Sequence, residues 1–174
     1  GGAEHHTVYE NLRTIQYSGS GFNFVFAQAA SPGAPWPRFS VKTYTRDIDF
    51  GAPASHVQLV RTAVDKRGGG GVGLPIVDQV QNQFILPNAP WAQQVDIWIT
   101  PYGFLRAAMT NKATVKPQKL KGKNYNVVTF TGQNKYTVRG FINDQNMVEE
   151  VETWIEHPAA GDLRIEAAYS GYRD

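Results

Sequence analysis

Alternation of period two runs through most of this chain, and glycine and proline cut it into short segments before any could extend into a long helix. A sequence with that pattern can fold as a β-rich domain and as little else. Leu12 to Gln28 reads as a long extended stretch in which Phe22, Phe24 and Phe26 share one face, and Ser18-Gly19-Ser20-Gly21 within it predicts a bulge or sharp bend. Ser31 to Pro37 must be a loop, because its prolines fix φ and remove donors. Phe39 to Phe50 and His56 to Val64 read as strands joined at Gly51-Ala52-Pro53. A glycine-rich connection from Lys66 to Gly73 leads to a strand over Ile76 to Leu86 and a turn at Pro87-Asn88-Ala89-Pro90. Further strands are expected over Asn124 to Thr131, Lys135 to Ile142, Met147 to Glu156 and Leu163 to Tyr172.

Helical spacing is confined to two places. Thr100 supplies an N-cap and Pro101 a first-turn proline, with Tyr102, Leu105, Ala108 and Met109 at helical intervals behind them, so a helix is expected over residues 101 to 111. A second helix is expected over Ala3 to Leu12. The whole reads as one β-rich domain over residues 1–174, a curved antiparallel sheet or incomplete barrel with one or two helices packed on its concave side. A turn centred on Asp144-Gln145 would set Val138 opposite Val151, Tyr136 opposite Thr153, Arg139 opposite Glu150 and Lys135 opposite Trp154. Val138 and Val151 would then face the core, while Glu150, Glu152 and Glu156 would share a solvated face with Trp154.

The 174 residues carry a formal charge of only +2, with signs mixed along the chain, which argues against a nucleic-acid binder. The basic stretch Lys112 to Lys123 lacks interleaved aromatics on which bases could stack and reads as a solvated loop and strand edge. With no cysteine, disulfides, thiolate chemistry and Cys-ligated zinc are excluded. No apolar run approaches the roughly 20 residues of a membrane span. Gly1 to Glu4 lacks the basic start and apolar centre of a signal peptide, so the expectation is a soluble chain whose export signal has been removed.

Catalytic patterns fail on inspection. Gly68 to Gly73 is followed by Leu74-Pro75 rather than by the Lys-Ser/Thr pair and helix of a phosphate loop. Ser18-Gly19-Ser20-Gly21 does not meet the G-x-S-x-G frame. His5, His6, His56 and His157 include no pair spaced to aim two imidazoles at one metal, although His5 and His6 could capture a stray ion. No catalytic residue, metal ligand or cofactor is assigned. The aromatic set Phe22, Phe24, Phe26, Trp36, Trp91, Trp98 and Tyr102 reads either as ordinary core or as the wall of an apolar hollow, the helix near 101 to 111 covering part of it. In the second case Phe22, Phe24, Phe26, Trp98, Tyr102, Leu105 and Met109 would line a groove for a lipid or other apolar ligand.

Asn11 to Gly21 resembles the start of the N-terminal region of a group of exported bacterial metallo-β-lactamase-fold hydrolases. Ala34-Pro35-Trp36-Pro37-Arg38-Phe39, Lys42 to Arg46, Thr100 to Met109, Asn146 to Glu149 and Val151 to Trp154 are similar to it in order and spacing. The resemblance implies a non-catalytic β-rich domain ahead of the hydrolase domain, itself similar to the half-barrel of periplasmic lipoprotein carriers, in a periplasmic or secreted protein. The family's zinc signature H-x-H-x-D-H is absent from these residues, so no catalytic role carries over, and the expected partner is a hydrolase domain or chain following Asp174. The alternative is a stand-alone carrier of an apolar ligand.

Overall fold

The computed structural model describes residues 12–26, 29, 31–64, 76–158 and 161–173. The helix expected from Ala3 falls outside these as far as Asn11, and Leu12 itself is not helical; the Lys66 to Gly73 connection also lies outside. The chain divides into two compact units, Leu12–Leu86 and Pro87–Asp174. Each is built on its own antiparallel sheet, so the β-rich antiparallel class read from the sequence holds, with the strands shared between two sheets and, among the described residues, no closed barrel.

The first unit is a four-stranded meander of β1 (Thr14–Phe24), β2 (Arg38–Asp49), β3 (Ala54–Ala63) and β4 (Asp78–Ile85), in that order across the sheet. The pairing of β1 with β2 shifts between Gly19 and Gly21, where the glycine pair predicted a bulge. At the β2–β3 turn, Asp49 Oδ1 accepts from Gly51 N at 2.7 Å and Ala52 N at 3.3 Å, the side-chain-to-backbone bond that Asp favours in turns. One face of the sheet buries Phe39, Val41, Ile48, Val57, Ala63 and Ile85. Gln16, Ser18, Thr45, Asp47 and Gln58 occupy the other.

The second unit contains α1 (Trp91–Trp98) and α2 (Pro101–Thr110), followed by β5 (Thr114–Leu120), β6 (Lys123–Gly132), β7 (Tyr136–Ile142), β8 (Val148–His157) and β9 (Gly161–Ala168) in sequential order across a five-stranded sheet. The helices cover one sheet face, and the core between them gathers Trp91, Val95, Phe104, Phe130, Val138 and Val151. Thr100 caps α2 as its sequence predicts: the backbone is extended at φ −60° and ψ 148°, and Oγ1 accepts from Gly103 N at 3.1 Å. Gly103 is required there, because a Cβ would sit 2.1 Å from the Ile97 carbonyl oxygen.

The buried face of α2 differs from the expected one. Phe104, Ala107 and Ala108 point inward, while Leu105 and Met109 remain exposed. The reason lies on β7. Gly140 presents no side chain, and the Phe104 ring fills the resulting socket so closely that a Cβ on Gly140 would lie 2.2 Å from Cζ. Gly132 on β6 accommodates Trp91 in the same way, and Trp91 stacks on Tyr136 with ring centres 5.4 Å apart.

The β7–β8 pairing also corrects the expected register. Val138 faces Thr153, Arg139 faces Glu152 and Phe141 faces Glu150, a displacement of two residues. It arises in two single steps. Asn146 adopts the left-handed region at φ 61°, so Asn143 N reaches Met147 O at 2.9 Å and the turn takes one residue more than a two-residue hairpin would. Between Phe141 and Ile142 the register shifts again, leaving Glu149 as the extra residue of a bulge. A single slip would have inverted the faces of β8; the pair of slips restores them, and Val138 and Val151 both reach the core as expected.

Candidate functional site

The residues expected to line an apolar groove are distributed as follows. Phe22 and Phe24 stand on the polar face of the first unit's sheet, 57% and 56% exposed, with the Arg38 guanidinium 3.7 Å above the Phe22 ring. Phe26 lies beyond the end of β1 and packs edge-on against Trp36 at 4.9 Å. Phe22 borders a shallow depression of about 330 Å3 over the glycines of β1; Phe24 and Phe26 do not. In the second unit, Trp98 Nε1 donates to Gln94 Oε1 at 3.5 Å, Tyr102 Oη accepts from Arg106 Nη1 at 3.4 Å, and Leu105 and Met109 lie on the exposed side of α2.

A different feature of the second unit gathers polar side chains. On the sheet face opposite the helices, a concavity of about 910 Å3 is walled by residues of β5 to β9 and the segment after β9. Its floor is Glu152, which is only 2% exposed. This corrects the expectation that Glu152 belongs to a solvated face and that Arg139 pairs with Glu150. Arg139 on β7 lies directly across from Glu152, and Arg164 reaches it diagonally from β9. Arg164 Nε donates to Glu152 Oε2 at 2.6 Å, and Arg139 Nη2 closes an ion pair with Oε1. A carboxylate so far from water is tolerated only because two cations hold it. Glu156, further along the strand, does remain exposed, accepting from Lys135 Nζ at 2.5 Å.

The bulge shapes the rest of the wall by setting Glu149 and Glu150 on the same side. Glu149 accepts from Asn143 Nδ2 at 2.9 Å and from Tyr125 Oη at 2.7 Å, with Lys123 Nζ at 3.4 Å. The Asn143 bond, and after it the Tyr125 bond, hold the Glu149 carboxyl below its ordinary range, while the same contact pushes the Tyr125 phenol up. Glu150 moves the other way, raised first by burial and then by the nearby Glu166 charge. Aromatic rings complete the lining: Tyr125 meets Phe141 edge-on at 6.0 Å, and Tyr172 Oη donates to Val148 O at 2.6 Å. The sequence carried a signal for this cluster that the reading missed, since Arg139, Glu152 and Arg164 sit at same-face positions of adjacent strands.

Among the described residues no group of three or more His, Asp and Glu side chains is placed to hold a metal ion. His56 is instead stacked flat on Phe84, with ring centres 4.2 Å apart. His5 and His6 lie outside the described residues. No helix among the described residues is long and apolar enough to cross a membrane. No protein-family model, curated protein or solved structure matches the chain.

Proposed function

We propose that this chain is a non-catalytic accessory domain of an exported metallo-β-lactamase-fold hydrolase, and that the polar face of its four-stranded sheet docks against the hydrolase domain. The resemblance in sequence supplies the family. Two of the segments that carry it contribute to the second unit's core, through Phe104 behind the Thr100 cap and Val151 on β8. The observation that carries the docking reading is on the first unit: Phe22 and Phe24 on β1, with Val80 and Phe84 on β4, stand more than half exposed on a largely polar sheet face. Aromatic anchors set in a polar surround are the usual composition of a protein interface, and large apolar side chains left in water without a partner are disfavoured.

The gene beyond the codon for Asp174 provides the first test. An H-x-H-x-D-H signature there supports the proposal, and an unrelated domain or a stop codon overturns it. In the protein carrying both parts, a photo-crosslinking residue at Phe24 or Phe84 should join the two domains under illumination, while one at Lys116 on β5 should not. Crosslinking to lipid or fatty acid instead would favour the carrier reading.

A further inference from the structure

We propose that the concavity on the outer face of the five-stranded sheet binds a neutral, polyhydroxylated ligand, a segment of an oligosaccharide chain, through Arg139, Arg164 and Glu150 with Tyr125, Phe141 and Tyr172 as its apolar contacts. Glu152 is almost wholly buried, and each of its oxygens engages a different arginine. The two arginine side chains are about half exposed and both line the concavity, so the buried carboxylate pins two donor groups beside it. Donors fixed before a ligand arrives lose little entropy on binding it.

Charge decides the class of ligand. Lys121, Lys123, Arg139 and Arg164 in the lining stand against Glu149, Glu150 and Glu152, and Arg164 Nη2 already contacts Glu150 at 3.4 Å and, beyond the lining, Glu166 at 2.9 Å. A phosphate or carboxylate would meet three carboxylates among the cations, and a cation would meet the two arginines and two lysines. A sugar, whose hydroxyls both donate and accept, can use the two kinds of group together. Its C–H faces need an apolar surface, which the rings of Tyr125, Phe141 and Tyr172 provide within the same concavity. The volume, about 910 Å3, is that of a cleft for a chain of rings rather than for one small ion.

Amide chemical-shift mapping of the 15N-labelled chain against maltohexaose, cellohexaose, chitohexaose and xylohexaose tests the assignment, with inorganic phosphate and spermidine as charged controls. At least one hexasaccharide should shift the signals of Tyr125, Phe141 and Arg164 saturably. Arg164→Gln should weaken that binding about tenfold or more, as expected for one lost charge-assisted hydrogen bond. Phe141→Ala should weaken it with the fold retained, while Phe24→Ala in the other unit should leave it unchanged. Since Arg164→Gln could disturb the sheet through Glu152, Tyr172→Ala provides a second reading from a residue outside the strands. Failure of every hexasaccharide to bind, saturable shifts confined to another surface, or tighter binding of phosphate or spermidine would overturn the proposal.

Discussion

The contact between Phe104 and Gly140 sets a measurable limit on the helix-to-sheet distance. At an unobstructed strand position of ordinary φ, Gly→Ala stabilises by about 0.4–1 kcal/mol, because alanine has less conformational freedom to lose. Gly140 is not such a position. A Cβ there would lie 2.2, 2.3 and 2.8 Å from Cζ, Cε1 and Cε2 of a ring with no exposed surface, so α2 must shift or the ring must leave its rotamer. Overpacking of this kind costs about 1–3 kcal/mol, which outweighs the entropic gain. Gly140→Ala should therefore destabilise the protein, lowering the urea midpoint by roughly 1–2 M at a typical slope for a unit this size. Phe104→Leu alone should cost about 1–2 kcal/mol, less than the 3–5 kcal/mol of full truncation to alanine. The double variant should be more stable than the sum of the two by about 1–2 kcal/mol, because leucine vacates the space the new methyl needs. Urea unfolding followed by far-UV circular dichroism and tryptophan fluorescence measures all three. A neutral or stabilising Gly140→Ala, or additivity within about 0.5 kcal/mol, would refute the packing argument.

Arg139→Ala should cost more than the fraction of a kilocalorie typical of a surface pair, about 1–2 kcal/mol, because its partner is buried; Glu152→Ala should cost about 2–3 kcal/mol, moderated by rehydration of the half-exposed arginines. Equal and negligible effects in thermal melts would contradict this. Tyr169 donates to Ile99 O at 2.8 Å, and burial foremost pushes its phenol up to about 12 from 10.0, so its contribution to stability is present below about pH 10 and lost as pH rises through about 12. Tyr169→Phe should flatten that alkaline loss and reduce the late component of the ultraviolet tyrosine titration; an unchanged titration curve would count against it. Phe24→Ser, at a side chain more than half exposed, should change stability by under about 1 kcal/mol, against the 3–5 kcal/mol a core phenylalanine would cost.

Local signals in the sequence placed most elements. Gly51-Ala52-Pro53 located the β2–β3 turn, Thr100-Pro101 located α2, and Ser18-Gly19-Ser20-Gly21 located the β1 bulge. The missed helix α1 lacks such signals: it is preceded by Pro90, has no side-chain cap and no acidic first turn, and only the spacing of Trp91, Gln94, Val95 and Trp98 marks it. The inward face of α2 could not be read locally, because the socket for Phe104 is made by a glycine on another strand. Glu152 was assigned to solvent for a similar reason. Alternation along β8 gives its face correctly, but its burial depends on arginines from the strands on either side, which only the true register brings together.

The doubled irregularity in the β7–β8 hairpin also governs how this stretch can change length. Asn146 in the turn and Glu149 in the bulge act like two frameshifts, the second suppressing the first. Deleting either residue alone would turn β8 over, sending Val151 and Thr153 outward and carrying Glu150 and Glu152 into the space under α2. Removing both would leave the frame intact, with Glu152 still between its arginines and the contacts of Glu149 and the Asn146 N bond to Asn143 O lost. Variation in chain length at this hairpin is therefore expected to come in compensated pairs rather than in single residues.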